Sequence, residues 1–270
     1  MIAVFDSGYG GLTVLKPIMD ILPDYDYVYL GDNARAPYGN HSPETIKLFS
    51  EQATDYLLGK GANLIIFACN TTSSVALRHI QQKYEKLLRG ENKRILGVLI
   101  PAAQHVIKES KSGRIGVMGT KATINSKVYD EEIKKINASA KVFSKACPLL
   151  VPFIEEGWHK KPEAKSILKK YLNPLKNANI DTLILGCTHY PMMSSSISKI
   201  MGKNIKAVNS GEVAARSLKE YLERHTEIER QLSKNKGRRF LTTDNPKEFK
   251  KFAEQNLGMK IKMPEKILLS

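Results

Sequence analysis

Two apolar runs in this chain end in the same way. Leu64-Ile65-Ile66-Phe67-Ala68 stops at Cys69, and Thr182-Leu183-Ile184-Leu185-Gly186 stops at Cys187. A short apolar run bounded by polar residues fits a strand covered on both faces of a parallel sheet. The correspondence extends along the chain. Ile2–Phe5 is answered by Ile115–Met118, Tyr27–Leu30 by Ala140–Phe143, and Ile95–Leu99 by Ile205–Val208, each pair about 110 residues apart. Self-similarity at a fixed offset marks a duplicated unit. A fold that accommodates it must place each cysteine at the same point of two like halves.

Helical stretches separate the strands: Pro43–Leu58, Ser74–Leu87, Lys127–Ile136 and Pro162–Leu175. Strand, helix, strand in alternation builds parallel α/β units. The expected fold is therefore α/β, with two pseudo-symmetric parallel-sheet domains facing each other across a cleft. The segment after the repeat offers a helix at Val213–Arg224, a short strand at Arg239–Thr242 and a helix at Pro246–Gln255. It is too small for a domain and is expected to pack on the first half. The predicted division is residues 1–96 plus 208–270 against residues 97–207.

Charge sets a second boundary. With 42 Lys and Arg against 27 Asp and Glu in 270 residues, the formal charge is +15. Such a balance is one footprint of nucleic-acid binding. Yet the final stretch from Arg216 to Lys266 mixes 14 basic with 8 acidic residues along helical segments. No zinc-finger, basic-zipper or aromatic RNA-binding motif accompanies it. The charge reads as solvated helix faces, with weak, salt-sensitive polyanion binding as its expected consequence. No apolar run approaches the roughly 18 residues of a membrane helix. The chain opens directly on a strand, without a signal-peptide pattern, so a cytoplasmic location without membrane association is expected. A regulatory site built from a preceding extension is likewise not expected. Three widely spaced cysteines argue against a disulfide framework, and no CxxC or HxxxH spacing suggests a metal.

In open parallel sheets ligands gather beyond the carboxyl ends of the strands. The residues found there are Asp6-Ser7-Gly8, Gly31-Asp32, Pro37-Tyr38-Gly39, Cys69-Asn70-Thr71, Gly119-Thr120 and Cys187-Thr188-His189. Hydroxyls, amides and backbone N–H groups at helix starts suit a small anionic ligand. Asp6 and His189 are candidate proton partners for Cys69 and Cys187. Cys147, followed by Pro148, has no such company and is assigned to the core. Gly8 and Gly10 match two glycines of a dinucleotide fingerprint, but Thr13 stands at the third. The Gly113–Lys121 stretch fails as a phosphate loop because Ala122 follows the lysine, and no lysine is placed as a pyridoxal phosphate anchor.

In these motifs the chain resembles the glutamate racemases. The matching strings are Phe5-Asp6-Ser7-Gly8, Gly10-Gly11-Leu12-Thr13-Val14, Gly31-Asp32, Pro37-Tyr38-Gly39 and Ala68-Cys69-Asn70-Thr71. Gly119-Thr120 with Ala122-Thr123, Cys147-Pro148 with Val151-Pro152 and Glu155, and Leu185-Gly186-Cys187-Thr188-His189-Tyr190-Pro191 complete them. Asn209 departs from the aspartate that members often carry. The resemblance implies a cofactor-independent isomerase that interconverts L- and D-glutamate and supplies D-glutamate for bacterial peptidoglycan. By the same match, Cys69 acts on D-glutamate and Cys187 on L-glutamate, with Asp6 and His189 assisting. Substrate contacts are implied for Asp6, Ser7, Tyr38, Gly39, Asn70, Thr71, Thr188 and His189. A homodimer is expected. Two other readings remain at this point: an aspartate or hydantoin racemase of the same superfamily, and a basic nucleic-acid-binding protein that keeps the fold.

Overall fold

The computed structural model describes residues 1–270. Its strands are β1 Ile2–Asp6, β2 Tyr27–Gly31, β3 Leu64–Phe67, β4 Arg94–Gly97, β5 Arg114–Gly119, β6 Lys141–Ala146, β7 Thr182–Gly186, β8 Lys206–Asn209, β9 Arg238–Thr242 and β10 Glu265–Lys266. They form two all-parallel sheets, in the orders β10-β9-β2-β1-β3-β4 and β6-β5-β7-β8. With β9 and β10 set aside, both sheets have the same permutation: second strand, first, third, fourth. The repeat read in the sequence is thus a repeat of topology.

Alternate side chains of each strand enter opposite cores, as a pleated strand with two covered faces requires. In β1, Ile2 and Val4 join one apolar cluster while Ala3 and Phe5 join another. In β7, Leu183 and Leu185 pack on one side and Ile184 on the other. In the C-terminal segment, β9 pairs with β2 and β10 with β9.

Some boundaries differ from the sequence reading. Leu99 leaves the predicted fourth strand and begins the helix Leu99–Glu109, because it packs with Ala102, Ala103 and Val106 in the core of the second sheet. The predicted helix Ser74–Leu87 is broken into Asn70–Val75, Leu77–Lys83 and Glu85–Gly90. Thr72, Ser73 and Ser74 turn their hydroxyls back onto the carbonyls of Cys69, Phe67 and Thr71. Such back-bonding bends helices. The helix Ser210–Arg224 packs against both Leu12–Ile21 and Leu99–Glu109, so it touches elements on either sheet. Asn209 caps it, accepting from Gly211 N at 3.0 Å; Asn and Asp are equally good at that task.

Asp181, just before β7, pins the turn that leads into β5. Its carboxylate accepts from Ser110 Oγ at 2.7 Å, Lys111 N at 2.8 Å and Ser112 N at 2.6 Å. Burial raises its pKa, but these bonds outweigh burial and hold it down to about 2, against an ordinary 3.8. A depressed carboxyl stabilises the fold above its unfolded pKa and loses that contribution as pH falls through its folded one. Asp181→Asn is therefore expected to melt below the parent at neutral pH. The gap should close between about pH 4 and pH 2, and thermal melts across that range check it.

Candidate active site

The carboxyl ends of the two sheets meet, and a small cavity of about 20 Å³ lies where they do. That is room for about one water. Its lining includes both Cys69 and Cys187, with Ser7, Tyr38, Gly39, Asn70, Thr71, Thr188 and His189. Asp6 is fully buried and does not line the cavity. It sits beneath, where Oδ2 accepts from Gly8 N at 3.0 Å and Oδ1 from Thr188 Oγ1 at 3.4 Å. Cys147 belongs to the apolar core of the second sheet, and burial pushes its thiol up to about 12.

The two cysteines lie one residue or two beyond their strands and have different company. Cys69 caps the helix Asn70–Val75, and Ser7 Oγ lies 3.4 Å from its sulfur. Burial, then the nearby Asp6 charge, raise its pKa to about 11. Burial likewise raises Asp6 itself above the ordinary carboxylate range. Cys187 has His189 Nδ1 at 3.8 Å, and the other ring nitrogen, Nε2, is 2.9 Å from Glu155 Oε1. Burial opposes a charge on this imidazole. The bonds and charges of Cys187 and Glu155 overcome that and lift it to about 10.

Polar contacts tie the halves together around the cavity. Tyr129 donates to Asn70 Oδ1 at 2.6 Å, and Asn70 Nδ2 reaches Ser210 Oγ at 3.4 Å. The hydroxyls of Thr71, Thr120 and Thr123 lie within hydrogen-bond distance of one another. Thr13 Oγ1 is 2.8 Å from the carbonyls of Gly10 and Thr188. The turn at Gly10 fits only without a side chain, since a Cβ there would collide with Thr188 and the His189 ring.

A family model for the Asp/Glu/Hydantoin racemases matches residues 14–218. The glutamate racemase of Geobacter metallireducens is 40% identical over 260 residues, covering 96% of this chain and 93% of its own. The chain belongs to the glutamate racemase family. A member from Bacillus anthracis superposes with a TM-score of 0.91 at 35% identity, covering 100% of this chain and 97% of that one. The Francisella tularensis glutamate racemase, solved with D-glutamate, gives 0.88 at 36% identity over 99% of this chain and 97% of that one.

Around this cavity, several residues were not named as site members from the sequence. Glu155 stood only inside a matched string, and its role as partner of His189 is a contact across 34 residues. Val151 also lines the cavity, as does Thr120, which the strand-end pair Gly119-Thr120 already places at this edge. Asp32, recognised as part of a strand end, accepts hydrogen bonds from Tyr38 and from Thr243 at 2.8 Å, and so fixes the Tyr38 ring. Its position after β2 was the available signal.

The raised pKa of Cys69 has a direct readout. Only the thiolate reacts with iodoacetamide, so alkylation of Cys69 should quicken about tenfold per pH unit between about pH 7 and pH 10. Peptide mass spectrometry measures it. A rate that levels off near neutrality would show that the thiol is not held up by its burial and by Asp6.

Proposed function

We propose that the chain interconverts L- and D-glutamate with Cys69 and Cys187 as its two bases, one on each face of the α-carbon. The observation that carries this reading is that two buried thiols from corresponding strand ends line one cavity. In the L-to-D direction Cys187, as thiolate, takes the α-proton, and the Cα–H bond leaves its electron pair on the carbanion. Cys69, as thiol, then gives its proton to the opposite face. The D-to-L direction exchanges the roles. His189 is poised to hold a proton beside Cys187 when that thiol acts as the base, because its raised pKa favours an imidazolium between Cys187 and Glu155. Asp6 acts on Cys69 from beneath the lining, through its charge and as a carboxyl able to carry a proton.

The α-carbon of an amino acid is a weak acid, so the site must stabilise the charge that develops on the carboxylate. Asn70, Thr71, Thr188 and Ser7 supply donors, joined by N–H groups of the first turn of Asn70–Val75. Tyr38 and Gly39 complete the wall. A cavity of about 20 Å³ is too small for glutamate, so the halves separate to admit substrate and close to exclude water. The moving units of this reading are residues 1–96 plus 208–270 and residues 97–207. No helix is long and apolar enough to cross a membrane. The protein is proposed to work in the cytoplasm as a homodimer, providing D-glutamate for peptidoglycan. Aspartate is the competing substrate; circular dichroism of L- and D-glutamate and of L-aspartate with purified protein decides between them.

Substitution separates the thiols. Cys69→Ser and Cys187→Ser should each nearly abolish racemisation, because serine is far less acidic than cysteine. Cys147→Ser should keep most of it. Full activity in either of the first two variants would remove the two-thiol mechanism.

The partners should act by direction. His189→Asn is expected to lower kcat mainly from L-glutamate and Asp6→Asn mainly from D-glutamate, each by about 10²–10⁴-fold. Glu155→Gln should follow His189→Asn with a smaller loss, since the imidazole keeps a hydrogen bond but loses the charge opposite. The kcat/KM values must still agree with the equilibrium constant. Initial rates in both directions provide the check, and a rise in KM alone, equal both ways, would mean that these residues only bind.

A further inference from the structure

Away from the thiols, an open cavity of about 770 Å³ lies among the turn Trp158–Lys160, the helix Pro162–Asn177, the turn Tyr190–Met193 and the helix Ser194–Met201. That volume falls in the range of small-molecule sites. Lys160, Lys165, Lys169 and Lys199 line it, with three serines and an apolar base that includes two methionines. No carboxylate lines it, and none of these four lysines forms an ion pair. His159 also lines it, and its Nδ1 is shut off from solvent without a hydrogen-bond partner. Four like charges around one hollow repel each other, and a bound anion relieves that repulsion. Lys165 and Lys169 stand one helical turn apart on one wall and Lys199 on another, which suits more than one anionic group. Compact lysine charges beside serine hydroxyls are phosphate-binding chemistry.

We propose that this cavity is a second ligand site, taking a small molecule with two or more phosphate groups, and that its occupancy is felt at His189. The coupling route is short. The turn Trp158–Lys160 begins three residues after Glu155, and the turn Tyr190–Met193 begins directly after His189. A ligand held between those turns bears on both ends of the 2.9 Å Glu155–His189 contact. This coupling, unlike the binding, rests on the proposed role of His189.

The chain has one tryptophan, Trp158, which is 48% exposed and adjoins His159. Its fluorescence should change saturably on titration with inorganic pyrophosphate at ionic strength held constant with chloride. The triple variant Lys165→Gln/Lys169→Gln/Lys199→Gln alters only exposed or half-exposed side chains, and far-UV circular dichroism verifies its fold. It should bind pyrophosphate about tenfold more weakly, from the sum of three modest charge contacts. At saturation, kcat from L-glutamate should shift in the parent and not in the variant. A response that never saturates, or equal affinity in the two proteins, would overturn the site. Displacement of pyrophosphate by a single-stranded oligonucleotide would overturn it as a small-molecule site and reassign it to a nucleic-acid backbone. Saturable binding with unchanged kcat would overturn the coupling. A parent protein that binds pyrophosphate but racemises nothing would reject the catalytic reading and leave the binding result intact.

Discussion

Parallel pairing is the constraint from which the site follows. Because every strand of a sheet runs the same way, all carboxyl ends emerge at one edge, and whatever follows them is gathered there. Register sharpens this. Asp6 pairs with Gly31 on one side of β1, and the neighbour on the other side, β3, runs on to Cys69. Gly119 at the end of β5 pairs with Gly186 at the end of β7, one residue before Cys187. The central strand of each sheet therefore ends beside a thiol. The helices on both faces fix those strands by alternate burial, so the positions of the sulfurs are set by the cores rather than by the loops.

The two halves share a topology and differ in electrostatics. On one side a thiol pushed up to about 11 lies near a buried carboxyl. On the other, a thiol faces an imidazole lifted to about 10 by its neighbours. Duplication explains the common positions of the cysteines, and divergence of the surrounding residues explains why each has different ionisable neighbours. Thr188 joins the two arrangements, as its backbone sits between Cys187 and His189 while its hydroxyl reaches Asp6.

Much of this was legible from local signals. Strand ends with Cys, Asn and Thr carry their message within a few residues, so Cys69, Asn70, Thr71, Cys187, Thr188 and His189 could be named and are found lining one cavity. Cys147 could be set aside for lack of polar company. What could not be read depended on contacts distant in sequence. Tyr129 meets Asn70 across 59 residues, and Asn70 meets Ser210 across 140. Asp6 looks like a cavity residue in the sequence, yet it is pulled beneath the lining by its bonds to Gly8 and Thr188. The broken helix after Cys69 failed for another reason: its apolar spacing was sound, but serine and threonine hydroxyls competed for the backbone.

Giving one thiol to each half also imposes a parity on the protein. On a two-thiol path, each conversion removes a proton from one sulfur and leaves one on the other. The protein that releases D-glutamate is not the form that accepted L-glutamate, but its protonation isomer. It is primed to run backwards until the proton returns. With room for only about one water in the cavity, that return would, on the proposed path, draw on the groups beside the thiols or wait for the halves to open. The fold thus keeps a record, one proton deep, of which enantiomer left last.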